Sequence, residues 1–416
     1  MPTRRQVLKR VLAAAGGAAA WPATSRAAHV RRQQPAAAQP SPARTVTHVR
    51  DSAFDPRVEI NAAHLAHNVA EVRRRVGGRP IVAVIKNNGY GCGTAIVGKI
   101  LETLPGVAML AVVKLSEAVA LREAGIRKPV LLMGPLDMAG LDEALRLRIE
   151  PMVYTPIGDT FDRIAARQQQ AVAIHVCVDT GIGRVGVPVR EATVLIRDLA
   201  ARSSVRIAST MMTFTEDPQL DIEQLARFNA LLAVLRHDGV AFGFRHAAST
   251  FGLFQRPDAF LDAVRPGMAI FGIYPEPDFR AAGVMDLRPA LSLKARVAYV
   301  KRLAKGDTAG YNRAYVAANP VWVATLSVGH ADGWPRAAAQ GARVLINGAL
   351  YPVIATVSAS HTIVEIGDAP AAAIGDTATL FGWEDGARPE DVSAACKVSV
   401  YDLTMHLNPL LPRTVV

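Results

Sequence analysis

Cysteine is scarce in this chain, with three residues in 416. Cys92, Cys177 and Cys396 are odd in number and lack metal-ligand spacing, which excludes a disulfide framework and gives no reason to expect a metal site. Two alternatives stay open: one pair bridges in an oxidising compartment, or all three are buried thiols.

Acidic residues are missing from the N-terminal region, where none precedes Asp51. The same region is rich in arginine and lysine and accounts for much of the net charge of +11. Basic chains often bind nucleic acid or anionic membranes, but no aromatic and basic stripe accompanies this excess. We therefore expect no nucleic-acid partner.

No apolar run near the N-terminus is long enough to cross a bilayer, since the mild stretch from Val11 to Trp21 is too short. It follows a twin-arginine pattern, Thr3-Arg4-Arg5-Gln6-Val7-Leu8-Lys9, and precedes a small-x-Ala site, Ser25-Arg26-Ala27. Residues 1–27 are therefore predicted to be an export signal that leads to the periplasm, without stable membrane insertion. General secretory export and a retained amphipathic anchor are the alternatives.

The segment after the cleavage site is poor in large apolar residues. Between Pro35 and Arg44 it consists mainly of alanine, glutamine and proline. Such a composition does not bury enough apolar surface to fold, so residues 28–55 are predicted to be a disordered linker.

The remainder of the chain has the composition of a globular protein. Half of the whole chain is hydrophobic and 20% is charged, which is enough for a sizeable core and two domains. From Val58 onward, strand-like runs alternate with segments of helical apolar spacing. The runs are Ile81 to Ile85, Met109 to Val113, Val130 to Met133, Ala173 to Val178 and Ile207 to Met212. This alternation predicts an α/β fold, an N-terminal TIM (β/α)8 barrel over residues 56–289, with a doubly wound sheet as the alternative.

The pattern changes after Pro289. Short β-rich segments, separated by glycine, proline and aspartate turns, run from Leu291 to Phe381. Residues 290–416 are therefore predicted to be a C-terminal all-β domain.

Lys86 ends the first apolar run and precedes a glycine-rich turn, in Ala83-Val84-Ile85-Lys86-Asn87-Asn88-Gly89-Tyr90-Gly91. The C-terminal end of a barrel strand is where such a fold reaches its substrate. An amine desolvated by the preceding apolar residues attacks a carbonyl more readily and forms a Schiff base. The alternative is a lysine that merely ends a strand and points into water.

The Lys86 segment resembles the cofactor-lysine segment of alanine racemases. Further segments match the same family in the same chain order. They are Val178-Asp179-Thr180-Gly181-Ile182-Gly183-Arg184, Val264-Arg265-Pro266-Gly267-Met268, Leu291-Ser292-Leu293-Lys294 and Gly329-His330-Ala331-Asp332-Gly333. The similarity covers about residue 56 to the C-terminus, and the chain is identified as a member of these fold-type III enzymes.

The resemblance implies pyridoxal 5′-phosphate (PLP), carried on Lys86. Lys86 would serve as the base on one face of the substrate, and Tyr311 would be the catalytic base on the other. Because the family's tyrosine comes from the β domain of a second subunit, a homodimer with shared active sites is implied. A surface tyrosine in a hairpin is the alternative.

The resemblance also implies the residues that bind the cofactor. Arg265 aligns with the arginine that faces the pyridine nitrogen, and a guanidinium only donates hydrogen bonds. The remaining candidates for cofactor binding are Tyr90, His246, Ser249, Thr250, Gly267 and Met268. Arg184 aligns with an arginine that contacts the tyrosine base or the substrate carboxylate, and we take it as the candidate for substrate binding. The alternative is that it closes its turn by pairing with Asp179.

Several positions depart from the family pattern. Cys177 replaces a lysine that is often carbamylated, and Thr213 replaces a histidine, for which His246 or His361 is a candidate to compensate. At the entrance, Ala359 replaces a methionine beside the substrate, which enlarges the pocket. A larger pocket discriminates weakly between side chains.

The implied function is interconversion of L- and D-amino acids by two-base proton transfer at Cα. The enlarged entrance and the export signal point to the periplasmic broad-specificity racemases of the family, with alanine as one substrate among several. A PLP-dependent lyase or decarboxylase is the first alternative, although its ring nitrogen usually faces an acidic partner. A paralogue that binds PLP or an amino acid without turnover is the second.

Overall fold

The computed structural model describes residues 54–416, so the predicted signal and most of the predicted linker lie outside the described residues. In chain order the strands are β1 (Arg57–Ile60), β2 (Ile81–Val84), β3 (Val107–Val112), β4 (Val130–Leu132), β5 (Ile149–Val153), β6 (Val172–Asp179), β7 (Val187–Pro188), β8 (Val205–Met211), β9 (Phe244–His246), β10 (Leu291–Leu303), β11 (Thr308–Ala309), β12 (Tyr315–Val316), β13 (Val321–Leu326), β14 (Arg343–Ile346), β15 (Ala349–Ile354), β16 (Thr362–Gly367), β17 (Thr377–Phe381) and β18 (Arg413–Val415). The helices are α1 (Ala62–Arg75), α2 (Lys86–Tyr90), α3 (Thr94–Thr103), α4 (Leu115–Glu123), α5 (Met138–Arg146), α6 (Gly158–Gln168), α7 (Val189–Ala200), α8 (Pro218–His237), α9 (Thr250–Gln255), α10 (Pro277–Ala281), α11 (Pro389–Cys396) and α12 (Val400–Met405).

Parallel strands form a barrel in the N-terminal part of the described chain. Their order is β2-β3-β4-β5-β6-β8-β9, and short β7 pairs with β6. Two bridges complete the circle, because Ala263 pairs with His246 of β9 and Val264 pairs with Ile81 of β2. The predicted (β/α)8 barrel is therefore confirmed, with seven regular strands and an eighth position reduced to two residues.

The sequence explains why these elements form. Every residue of β2 is buried, as expected for a parallel strand with a core on both faces. The covering helices begin at polar caps: Asn61 accepts the amide hydrogen of His64 before α1, and Asp217 accepts those of Gln219 and Leu220 before α8. Three arginines in the last turn of α1 complement its dipole.

The predicted C-terminal β domain is also confirmed. Its sheet runs β13-β16-β15-β14-β17-β10-β1-β18, and long β10 also pairs with β13, which closes six of the strands into a ring. Strand β1 precedes the barrel in sequence but pairs antiparallel with β10. Residues 57–60, which the sequence predicts to be part of the barrel segment, therefore belong to the sheet of the C-terminal domain.

The three cysteines are buried free thiols. Burial raises the pKa of Cys92 to about 12 and that of Cys177 to about 11. The sequence leaves open either one disulfide or three buried thiols, and the structure contains three buried thiols. Among residues 54–416, no helix is both long and apolar enough for a membrane crossing.

Candidate active site

A cavity of about 440 Å³ lies where the barrel strands end. Its walls come from the loops after several strands, which is where barrel enzymes place their chemistry. Apolar side chains form one part of the wall, including Val113, Met133 and Met152. The sequence-predicted residues that the cavity brings together are Lys86, Tyr90, Arg184, Ser249, Thr250, Arg265, Gly267 and Met268.

Lys86 projects into this cavity from the end of β2. Burial is the largest cause that lowers the pKa of its amine, and the positive charges of Arg184 and Arg265 lower it further. The carboxylate of Glu117 acts in the opposite direction. The amine therefore loses its proton more readily than that of an ordinary lysine, as a nucleophile or base requires.

A left-handed turn fixes the point from which Lys86 projects. Asn87, Asn88 and Gly89 have φ values of 54°, 57° and 59°. Two non-glycine residues in this region require stabilisation by their surroundings. Glu117 provides it, because its carboxylate accepts the amide hydrogen of Asn88 at 2.8 Å.

Glu117 also binds the end of the neighbouring strand. Its second oxygen accepts the amides of Val113 at 3.2 Å and Lys114 at 3.1 Å. Sequence reasoning missed this residue because α4 is recognisable only as an amphipathic helix. The usable signal is a glutamate three residues after the helix cap, a capping pattern.

Thr250 organises the candidate phosphate cradle. Its hydroxyl oxygen accepts the amides of Gly267 at 3.2 Å and Ala269 at 3.1 Å, so its own proton is free to donate into the cavity. The Gly267 amide, expected to face a phosphate, is instead engaged with Thr250. A side chain at Gly267 would place its Cβ 2.1 Å from the Tyr90 hydroxyl, so the phenol occupies the space that the glycine leaves.

Arg265 is buried and held by three acceptors. Nη1 donates to Nδ1 of His246 at 2.8 Å, and Nη2 donates to the Met212 carbonyl at 2.8 Å and the Thr213 hydroxyl at 3.1 Å. Burial lowers the pKa of Arg265 to about 10, which leaves it protonated near neutral pH. His246 is fully buried and lies outside the cavity lining, so it meets the cavity only through Arg265.

Arg184 lines the cavity from an exposed loop. The alternative pairing with Asp179 is not formed in the described chain, where that carboxylate instead accepts the amides of Gly181 at 2.9 Å and Gly183 at 3.1 Å. Arg184 has no ion-pair partner within the described part of the chain. Its guanidinium is therefore available to a carboxylate in the cavity.

Besides His246, two further predicted residues lie outside this cavity in the single chain. Tyr311 is 72% exposed, in the turn Tyr311–Arg313 between β11 and β12. Ala359 is exposed in the loop before β16. The chain on its own therefore brings Lys86 together with all the cofactor candidates except His246, and leaves Tyr311 and Ala359 apart from them.

Glu216 and Tyr401 also line the cavity. Burial and then the Glu216 carboxylate raise the pKa of Tyr401 to about 12, so its phenol stays protonated. Its ring lies 6.2 Å from that of Tyr90. Sequence reasoning missed Glu216, although its place just beyond β8 is the kind of position that a barrel directs toward its site.

The two halves of the chain match two family models. Residues 60–275 match the model described as alanine racemase, N-terminal domain, and residues 290–415 match alanine racemase, C-terminal domain. The junction between the matches falls where the sequence changes from barrel to β pattern.

Similar proteins carry the same description. An alanine racemase of Desulforamulus reducens is 33% identical over 332 residues, which covers 78% of this chain and 89% of that protein. One of Sorangium cellulosum is 33% identical over 345 residues, covering 79% and 89%. The crystal structure of alanine racemase from D-cycloserine-producing Streptomyces lavendulae superposes with a TM-score of 0.82 at 26% identity, covering 88% of this chain and 98% of the other.

Proposed function

The chain belongs to the alanine racemase family and is a PLP-dependent amino-acid racemase, and we propose that it interconverts the L and D forms of several amino acids, alanine among them. One observation carries the proposal. A single cavity contains the easily deprotonated amine of Lys86, the buried guanidinium of Arg265 and the exposed guanidinium of Arg184.

The residues of this cavity fit PLP. Thr250 has a proton to donate, the Tyr90 phenol lies over Gly267, and Arg265 adds positive charge at the back. When bound, PLP supplies a carbonyl for the lysine amine and withdraws electrons from the substrate Cα–H bond. We assign the cradle to Tyr90, Ser249, Thr250 and Met268.

Arg265 decides what kind of reaction the site favours. It is protonated near neutral pH and has only N–H groups to offer, so a pyridine nitrogen held against it would receive a hydrogen bond but no proton. An unprotonated ring would withdraw electrons less strongly, which would favour return of the proton to Cα. The acidic partner that decarboxylation usually needs is absent from this position in the described chain.

Lys86 and Arg184 have separate roles toward the substrate, one in proton transfer and the other in binding. Nζ of Lys86 takes or returns the Cα proton on one face of the substrate. Arg184, free of other ion pairs, orients the substrate carboxylate with its two-pronged donor group. Racemisation needs a second base on the opposite face.

We assign the second base to Tyr311 of a second copy. Its exposure and its absence from the lining of the chain's own cavity support this assignment. Nearby cations favour loss of a proton from a phenol, and a cavity with Arg184 and Arg265 supplies them. The active unit is then a homodimer.

Broad specificity rests on the entrance. Ala359 and Ser360 occupy the loop where the family has a methionine and an aspartate, and both are exposed in the single chain. If that loop faces a second copy's cavity, the smaller alanine leaves room for longer substrate side chains. Pockets that merely tolerate extra methylenes discriminate by about 1–3 kcal/mol per group, so several substrates are expected.

We also propose that the protein acts in the periplasm. The twin-arginine pattern, the short apolar stretch and the small-x-Ala site of residues 1–27 support this. Replacing Arg4 and Arg5 by lysine should retain the full-length protein in the cytoplasm, as fractionation would show. Unchanged periplasmic recovery would contradict the assignment to the twin-arginine route.

The proposed function is tested with the PLP-loaded protein and a panel of single L-amino acids. Chiral chromatography should detect the D form of alanine and of longer amino acids. Lys86→Ala should abolish both turnover and the visible absorption of bound cofactor, whereas Lys99→Ala, on the exposed face of α3, should leave both intact. Release of carbon dioxide or an aldehyde would identify a decarboxylase or lyase instead, and binding without product would identify a non-catalytic paralogue.

A further inference from the structure

A line of hydrogen bonds leads from Arg265 through the inside of the barrel to its opposite end. After the Arg265–His246 contact at 2.8 Å, Nε2 of His246 lies 2.9 Å from the Ser209 hydroxyl. That hydroxyl lies 2.6 Å from Nδ1 of His175, and Nε2 of His175 lies 2.8 Å from a Glu150 carboxylate oxygen. These residues come from the four neighbouring strands β9, β8, β6 and β5. We refer to Ser209, His175 and Glu150 as the relay.

Burial determines which atom donates the hydrogen in each of these contacts. His246, Ser209 and His175 are completely buried, so each polar hydrogen must be used within the line. Arg265 donates, which makes Nδ1 of His246 an acceptor. Burial and then the positive charge of Arg265 hold the pKa of His246 well below its usual value, so the ring is neutral and its one hydrogen lies on Nε2.

The remaining hydrogens are fixed by this tautomer. Ser209 accepts from His246, and its only hydrogen is then donated to Nδ1 of His175. Nε2 of His175 donates to Glu150. If His175 instead donated to Ser209, the serine hydroxyl would receive two hydrogens and its own would have no acceptor, which is costly in a buried site.

We propose that Ser209, His175 and Glu150 are positioning residues for racemisation, which hold His246 as its Nε2–H tautomer and thereby fix Arg265 in the cavity. This inference rests on the proposed function. Without the Ser209 acceptor, His246 is free to carry its hydrogen on Nδ1, which then faces an N–H group of Arg265. The guanidinium loses one of its three anchors and shifts relative to Lys86.

The relay ends far from the reacting atoms. Glu150 borders a different cavity, of about 380 Å³, together with Arg206 and Asp262, and its side chain is 17% exposed. Residues of the relay therefore act on the reaction only through His246 and Arg265. A change at Glu150 alters the site without touching the substrate cavity.

The test uses the PLP-loaded full protein and alanine. Ser209→Ala should lower kcat about 10- to 100-fold with little change in KM, because Arg265 is displaced while the carboxylate contact of Arg184 remains. Thr210→Val is the matched control, since Thr210 is an adjacent buried hydroxyl that binds the Phe242 carbonyl at 2.7 Å outside the relay. It should change kcat less than about twofold.

Glu150 provides a pair of variants at the less buried end. Glu150→Gln keeps an acceptor for His175 and should retain kcat, whereas Glu150→Leu removes the acceptor and should reproduce Ser209→Ala. Nitrogen-15 NMR of histidine-labelled holoenzyme should show His246 protonated on Nε2 in the wild type and a mixture of tautomers in Ser209→Ala.

An Nδ1–H tautomer of His246 in the wild type would overturn the inference. So would equal losses of kcat in Ser209→Ala and Thr210→Val at matched thermal stability. Failure of the proposed function is a separate result: wild-type enzyme that never yields D-alanine, whatever the NMR shows.

Discussion

The carboxylate of Glu117 accepts the amide hydrogen of Asn88 at 2.8 Å, which connects the start of α4 to the left-handed turn after Lys86. Glu117 is buried and uses both oxygens on backbone amides. Glu117 therefore holds the backbone from which the Lys86 side chain projects, and it takes no direct part in the reaction.

Glu117→Ala should therefore impair both folding and catalysis. Three backbone amides lose their acceptor, and each buried donor left unpaired costs about 1–3 kcal/mol, so urea unfolding should show a clear loss of stability. Displacement of Lys86 should lower kcat about tenfold or more. Glu123→Ala, on an exposed position of the same helix, is the control and should change neither quantity. A variant with full kcat would show that the turn holds Lys86 without Glu117.

The pH at which Lys86 becomes reactive should respond to its two charged neighbours in opposite directions. Because Glu117 raises the pKa of Lys86 and Arg184 lowers it, Glu117→Gln should move the titration to lower pH and Arg184→Gln to higher pH. In the wild type the midpoint should lie below the ordinary lysine value of about 10.4. Competitive acylation of the cofactor-free protein, read by peptide mass spectrometry, measures the titration midpoint of Lys86 in the wild type and in both variants. Shifts of the same sign would refute the electrostatic account.

Two inactive variants should restore activity to each other if the site is shared. A mixed dimer of Lys86→Ala and Tyr311→Phe chains has one site with both defects and one site with neither. Random mixing gives half mixed dimers, so about a quarter of wild-type activity should return after dissociation and reassociation. Each variant reassociated with itself is the control. Absence of any recovery in confirmed mixed dimers would place both bases in one chain.

Gly267→Ala should weaken cofactor binding, because the new Cβ would lie 2.1 Å from the Tyr90 hydroxyl and 2.9 Å from the adjoining ring carbon. The phenol must then leave its position over the cradle. Tyr90→Phe removes the hydroxyl without the clash and separates the two effects. Fluorescence titration with PLP should show a loss of about tenfold or more for Gly267→Ala and a smaller loss for Tyr90→Phe. Equal affinities for wild type and Gly267→Ala would mean that the cradle accommodates the methyl group.

The alternation of strands and helices could be predicted from sequence because buried parallel strands are continuous apolar runs. Ile81 to Ile85 is such a run, and β2 occupies nearly the same residues. The eighth position of the barrel could not be predicted in this way, because Ala263 and Val264 are too short to show any periodicity. The pairing of β1 with β10 was equally inaccessible, since it joins residues more than two hundred positions apart.

The site residues also differ in whether the sequence alone could predict them. Lys86, Arg184 and Arg265 lie in motifs, and the fold brings them to one cavity. Ser209 carries no local signal, and the capping pattern of Glu117 predicts a helix start but not its contact with the turn after Lys86, because both roles arise from neighbours on other elements. Tyr311 stays a prediction for a further reason: the role proposed for it requires a second copy of the chain, which the structure of one chain does not contain.

One contact in the barrel wall is much shorter than the others. Where a full strand would lie, a short segment around the bridge residues Ala263 and Val264 joins β9 to β2 by a few backbone hydrogen bonds, and Arg265 lies within this segment. The segment that closes the barrel therefore also places the Arg265 guanidinium in the cavity. A ligand that binds Arg265 from the cavity would stabilise this closure as well, so bound PLP would strengthen the scaffold that carries it.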